Sequence, residues 1–270
     1  MTDDLRERDA TPDDYDDFVV LFNQLGAGDP VPPRDRWTVE MMPSIRLFEG
    51  GGAVAAYVFA QVMGREGYVR HLVVGADHRG RGVGTAAMRA TAARLRALGC
   101  DTWCLNVRPE NEPAVRLYTR CAMRVRYASS SVRIAWTAFD ELPRSPNGAA
   151  ARLIAPDEDA AIESDFKLHV GQIASVRARQ GRVPLALWAG GGCVGVACFD
   201  PRFPGAAPFR VKGDAYLGDL IDAMRPHALP EPPHVSLLVE DDEALTARLL
   251  ALGGETRLSL FHMAGPIVAP

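Results

Sequence analysis

Long apolar runs are missing from the sequence. No stretch approaches the roughly 18 consecutive apolar residues that a membrane-spanning helix needs, so no membrane partner is expected. Met1 to Ala10 are mostly charged and lack the apolar core of a secretory leader. A basic surplus is missing too: 30 Lys and Arg stand against 34 Asp and Glu, for a net charge of −4 and a pI near 5.9. With its basic residues dispersed, the chain offers no nucleic-acid surface. Cysteine is sparse, with five residues at 100, 104, 121, 193 and 198. An odd count without metal-ligand spacing implies no metal and the reduced thiols of a cytoplasmic protein. At 270 residues and 47% hydrophobic, the chain can bury the core of one large or two small domains.

What is present is concentrated in residues 69–85. The apolar run Leu72-Val73-Val74 reads as the end of a strand. It passes through a short polar turn into a loop with arginines at 79 and 81 and glycines at 80, 82 and 84. A helical pattern from Val83 to about Leu98 follows, with Met88, Ala92, Leu95 and Leu98 on one face and Gly99 as its stop. Glycines at alternate positions let backbone N–H groups approach a ligand, and the helix start that follows attracts phosphate. Taken alone, the loop also reads as a glycine-rich turn with two solvated arginines. The Walker and dinucleotide patterns do not fit, because Gly84 is followed by Thr85 and Ala86.

Arg79-x-x-Gly82-x-Gly84 directly after this strand resembles the acetyl-CoA pyrophosphate loop of the GNAT superfamily of N-acetyltransferases. Further on, a strand ending in Asn106 precedes Asn111-x-x-Ala114-x-x-Leu117-Tyr118 on a helix, which resembles that family's second cofactor motif. Asn111 can cap the helix or bond the cofactor arm, and Ala114 is small enough for a ligand to lie against it. Tyr118 lies two turns beyond Asn111 on the same face. At that spacing a tyrosine can also be an ordinary core residue. The family's Gly-aromatic pair after this motif is replaced by Ala122-Met123, which bears on the geometry of the helix exit.

The remaining patterns fill out an α/β (α+β) chain. Near Leu5–Ala10 a short strand precedes a helix opened by Thr11-Pro12-Asp13-Asp14, where Asp13, Asp14, Asp16 and Asp17 complement the helix dipole. A turn at Asp29–Pro33 and a short helix near Asp35–Met42 form a plausible substrate lip. Strands are expected at 44–49, 53–63, 66–74 and 103–107, the last parallel to the third because a helix connects them. A strand pair at 124–129 and 131–138 would complete a first domain of residues 1–139, with 140–149 as an exposed linker.

Residues 150–270 read as a degenerate second copy. Arg152-Leu153-Ile154-Ala155-Pro156-Asp157-Glu158 echoes the segment beginning at Arg8, and strand patterns return at 183–188, 193–199 and 209–212. Arg248-Leu249-Leu250 matches Arg116-Leu117-Tyr118, whereas no Arg-x-x-Gly-x-Gly follows Lys212. In that register Asn106, Asn111 and Tyr118 become Leu238, Glu243 and Leu250. The resemblance thus implies two GNAT-like domains, each a mixed, mostly antiparallel twisted sheet flanked by helices, with a single competent site in the first.

The same resemblance implies direct acetyl transfer from acetyl-CoA to an amine, more readily of a small molecule than of a protein, by a monomer or homodimer. Leu72, Val73 and Val74 would pair with the pantetheine arm, while Arg79, Gly80, Arg81, Gly82, Val83, Gly84 and Thr85 hold the pyrophosphate. Asn106, Asn111 and Ala114 would complete the cofactor site. Tyr118 would be the general acid for the leaving thiolate, and His71 heads the candidates for general base, ahead of Glu66, Tyr68 and Arg70. Cys104 reads as a packing residue. The alternative is a catalytically silent acetyl-CoA-binding module with a regulatory or scaffolding role.

Overall fold

The structure is a computed structural model that describes residues 5–26, 30–145 and 148–268. Asp29 of the expected turn and Pro146 and Asn147 of the expected linker lie outside them. The chain divides into two compact units, residues 1–126 with 261–270, and residues 127–260.

In the first unit, β1 (Arg6–Asp9), β2 (Ile45–Gly50), β3 (Ala53–Met63) and β4 (Glu66–Val74) pair antiparallel in sequence order. Helix α1 (Tyr15–Phe22) follows β1, and α2 (Arg34–Arg36) begins a run of helical turns that reaches Ser44. Helix α3 (Val83–Ala97) then carries the chain to β5 (Thr102–Val107), which pairs parallel to β4 as a helical crossover requires. Helix α4 (Glu112–Arg120) follows. The sixth strand comes from the far end of the sequence: Phe261–Pro266, within β12 (Glu255–Pro266), lies antiparallel to β5.

Helical periodicity decides what each helix buries. Phe18, Leu21 and Phe22 of α1 meet Trp37, Met41, Leu47, Tyr57, Phe59 and Val73 on one face of this sheet. Ala87, Met88 and Leu95 of α3 pack with Tyr118 against Val69, Trp103, Leu105 and Val107 on the other. Before α1, the Thr11 N–H and hydroxyl donate to the Asp14 carboxylate at 2.7 and 2.8 Å, and Arg8 donates to both its oxygens. The arginine holds that carboxyl down at about 2, so Asp14 is a structural anion.

The second unit repeats the plan. β7 (Ala150–Leu153), β8 (Val183–Ala189), β9 (Gly192–Asp200) and β10 (Gly205–Val211) pair antiparallel, and β10 pairs parallel to β11 (His234–Glu240). Between these strands lie α5 (Asp159–Asp165), α6 (Gln172–Arg177) and α7 (Leu217–Met224), and α8 (Glu243–Ala251) follows β11. The Arg8–Asp14 pair recurs as Arg152–Glu158, with both guanidinium donors at 2.5 Å from the carboxylate. Each partner is displaced by 144 residues. Both units are thus mostly antiparallel sheets with one parallel pair. Among the described residues, no helix is long and apolar enough to cross a membrane.

Three expectations need correction. The strand pair at 124–129 and 131–138 is one strand, β6 (Arg124–Ala135), followed by a helical turn at Trp136–Phe139. Serines favour turns in isolation, but Ser129, Ser130 and Ser131 stay in unbroken register against β11. Because Tyr127–Ala135 belongs to the second unit and Phe261–Pro266 to the first, the compact units differ from the expected division into 1–139 and 150–270. Nor is the segment 140–149 simply an exposed linker. Leu142 is buried, Arg144 pairs with Asp222 at 2.6 Å, and the Ser145 N–H donates to Asp219.

At the exit of α4, Ala122 sits at φ 61°, in the left-handed region where a Cβ is strained. Gly265 faces it so closely that a Cβ there would collide with the Ala122 carbonyl. The Ala122→Gly variant is expected to gain about 1 kcal/mol of unfolding free energy, whereas Gly265→Ala loses stability. Equilibrium denaturation of both variants checks this.

Candidate active site

The site begins where two strands part. Along β4, His71 pairs with Phe59 and Val69 with Ala60, so Arg70 is an extra residue in a β-bulge. The parallel pairing with β5 runs from Glu66–Thr102 to Val69–Leu105 and ends there. Beyond it, among the described residues, Leu72–Val74 have no strand beside their β5-facing edge. Unpaired backbone groups can bond an extended ligand as they would another strand.

The loop after β4 closes the outer end of this opening. Gly80 and Gly82 adopt φ 71° and 83°, values that glycine takes without strain and that turn the chain into the first residue of α3. The N–H groups of Val83, Gly84 and Thr85 have no acceptor within the helix. Gly84 lets α4 approach: a Cβ there would lie 3.3 Å from the Leu117 side chain. Arg79 is latched inward, donating to the Val74 carbonyl at 3.0 Å and to Gln24 Oε1 at 3.3 Å. The same Gln24 oxygen accepts the Ala76 N–H at 2.9 Å.

These elements enclose a cleft of about 620 Å³. Of the residues expected from sequence, Leu72, Val73, Val74, Arg79, Gly80, Gly82, Val83, Gly84, Thr85, Asn111, Ala114 and Tyr118 line it. Arg81 is exposed and His71 and Asn106 lie elsewhere, so the lining omits all three. Gln24, His78, Pro113 and Arg120 also line the cleft, and sequence reasoning missed them because none belongs to the two motifs. Asn111 caps α4, its Oδ1 accepting the Ala114 N–H at 3.3 Å. Tyr118 is 7% exposed, and burial raises its phenol well above the ordinary value. It is therefore a protonated O–H donor at neutral pH.

His71 lies on the opposite sheet face among the rings of Phe22, Tyr57 and Phe59, sharing a 3.1 Å hydrogen bond with the Tyr57 hydroxyl. Burial, reinforced by Arg70, lowers its pKa to about 4. Asn106 bridges two side chains instead of lining the cleft: its Nδ2 donates to the Tyr68 hydroxyl at 2.8 Å, and its Oδ1 lies 2.9 Å from His262 Nδ1. Cys104 is fully buried and absent from the lining.

The second unit parts its parallel strands in the same way, with pairing limited to Gly205–Ser236 and Ala206–Leu237. Beyond them the Arg210 guanidinium reaches across to Glu240, bonding its carbonyl and, at 3.0 Å, its carboxylate. Both side chains are largely buried. Phe209 pairs with Ala197 just past the bulge, the position that His71 holds in the first unit. After Lys212 and Gly213 the chain enters a helical turn at Asp214–Tyr216.

A forked sheet with a glycine loop and a helix start at its mouth is a site suited to an extended, anionic ligand. In comparison with known proteins, residues 16–123 match the model of the acetyltransferase (GNAT) family. Over 124 residues the chain is 33% identical to mycothiol acetyltransferase of Clavibacter michiganensis subsp. michiganensis. That match spans 42% of this chain and 40% of that protein, less than half of either. Among solved structures, a GCN5-related N-acetyltransferase from Sphaerobacter thermophilus aligns with TM-score 0.67 at 17% identity, over 98% of this chain and 96% of its own. A tandem GNAT protein from the clavulanic acid biosynthesis pathway aligns with TM-score 0.65 at 17% identity, over 99% and 100%. The two structures establish the tandem fold for the chain as a whole.

A histidine with its pKa at about 4 stays neutral through the physiological range and gains its proton only as pH falls toward 4. NMR titration of the His71 ring should show no protonation between pH 8 and about 5. A midpoint near the ordinary 6.5 contradicts the burial argument.

Proposed function

We propose that the protein is an N-acetyltransferase that moves the acetyl group of acetyl-CoA to a primary amine of a small molecule by direct attack in a ternary complex. The observation that carries this reading is the convergence, in one cleft, of an unpaired strand edge, a glycine-loop helix start and a buried tyrosine. The name of the Clavibacter relative supports acetyl transfer.

In this reading Leu72–Val74 hold the pantetheine arm by backbone hydrogen bonds, and the N–H groups at the start of α3, with Arg79, hold the pyrophosphate. The co-substrate supplies an activated thioester. Tyr118, kept protonated by burial, gives its proton to the departing sulfur. Asn111 orients the first turn of α4 and so sets where Tyr118 points. The N-terminal unit is the catalytic one. The C-terminal unit is structural: it has no such loop, and Arg210 and Glu240 fill its fork.

Incubating the protein with acetyl-CoA and a panel of small primary amines, with thiol release as readout, tests the function. Tight coenzyme binding without transfer to any amine would instead support a silent binding module. For the acid, Tyr118→Phe is expected to lower kcat by about 10²-fold, equivalent to about 2.7 kcal/mol, with little change in acetyl-CoA affinity. Unchanged turnover removes Tyr118 from that role.

A further inference from the structure

Arg79 is held on two sides, and one of its partners comes from outside both glycine loop and α4. In the β3–β4 ladder Gly75 follows the Ala56–Val74 pair, and its N–H donates to the Ala55 carbonyl at 2.9 Å. Backbone groups alternate in direction along an antiparallel strand, so those of Val73 face β3 while those of Leu72 and Val74 face the fork. Arg79 Nε therefore donates, at 3.0 Å, to the last carbonyl of the open edge. On its other side, Arg79 Nη2 donates to Gln24 Oε1 at 3.3 Å.

Gln24 is itself anchored, because α1 is firmly seated. Phe18, Leu21 and Phe22 are buried, and the Gln24 N–H donates to the Leu21 carbonyl at 2.9 Å in the turn that ends the helix. Gly75 lets that end come close: a Cβ there would lie 3.4 Å from the Leu21 side chain. The Gln24 oxygen also accepts the Ala76 N–H at 2.9 Å, so one amide oxygen ties the entrance of the loop to its arginine. Among the described residues, these bonds use two of the five N–H donors of Arg79 and leave three on a guanidinium that lines the cleft. No Asp or Glu stands among the described residues of that lining. Gln24 carries no charge, so it restrains Arg79 without neutralising it.

We propose that Gln24 is a positioning residue for coenzyme binding: together with the Val74 carbonyl it holds the Arg79 guanidinium ready for the pyrophosphate. The inference rests on the acetyl-CoA site of the acetyltransferase reading. An arginine side chain loses rotamer freedom when it grips a ligand, and a partner that restricts it beforehand lowers that cost. Gln24 acts through Arg79 at the phosphate end of the cleft, away from the thioester. Its contribution therefore falls on affinity for the phosphorylated part of the coenzyme and leaves the chemical step alone.

The test uses the full chain with acetyl-CoA and with S-acetylpantetheine, which has the thioester arm but no pyrophosphate. Gln24→Met keeps the length of the side chain and removes its acceptor at an exposed position, so the core is untouched. The variant is expected to raise the calorimetric Kd for acetyl-CoA about tenfold, while kcat with the best amine of the panel falls by no more than about twofold. Its kcat/KM for S-acetylpantetheine should stay within about twofold of wild type, which a general disturbance of the cleft would not allow. In an Arg79→Ala background the same substitution should change the acetyl-CoA Kd by less than about twofold, because the group it positions is gone. An acetyl-CoA Kd within about threefold of wild type overturns the proposal, as does an equal loss with both thioesters, or a full tenfold effect in the Arg79→Ala protein. Wild-type binding of acetyl-CoA without transfer to any amine overturns the acetyltransferase reading, and the Kd values of the two backgrounds still decide the role of Gln24. A wild-type protein that does not bind acetyl-CoA overturns both.

Discussion

The early end of a single parallel strand pairing is the constraint on which the rest of the first unit depends. β4 and β5 run together for four residue pairs and then part, at a bulge that places Arg70 outside the ladder. A sheet normally satisfies its backbone groups with a neighbouring strand, and leaving them open costs free energy unless water or a ligand takes them. The fork is therefore both a local weakness and the feature that makes room for an extended ligand. The surrounding parts keep it open without letting it spread. α3 and α4 pack against each other through Gly84 and Leu117, and the core beneath them is closed by Val69, Leu105, Val107 and Tyr118.

Local sequence carried the parts of the site that lie close together along the chain. The glycines at 80 and 82 take unusual backbone angles, Gly84 allows a close approach of Leu117, and the spacing of Asn111, Ala114 and Tyr118 fixes one helix face, so loop, helices and most of the cleft lining were legible. What was not legible depends on pairings between distant segments. Gln24 reaches Arg79 across 55 positions, and Asn106 meets His262 across 156. Neither contact leaves a periodic pattern. The same limit explains β6: its three serines look like a break in isolation, and only pairing with β11 keeps the strand continuous. His71 was chosen for its ordinary pKa, but its ring environment, assembled from α1, β3 and β4, moves it away from that value.

The second unit shows which features belong to the fold and which to chemistry. An arginine–carboxylate pair at the helix start, the bulge beside the parallel strands and the early parting of those strands all recur. The glycine loop and the tyrosine do not. Where the first unit leaves its fork open, the second closes it with Arg210 and Glu240. A largely buried, hydrogen-bonded ion pair there satisfies the polar groups that a ligand would otherwise meet.

The origin of the sixth strand bears on how the protein is made. Phe261–Pro266 lies beside β5, so the first unit is assembled from residues at both ends of the sequence. During synthesis the ribosome releases β1 to β5 long before that strand, and β5 has an unfilled edge throughout the interval. The unit that carries the cleft thus begins before the second unit in the chain and is completed after it. An exposed edge of this kind can pair with other chains, which leaves the nascent protein open to aggregation, or to chaperone capture, until residues 261–266 emerge.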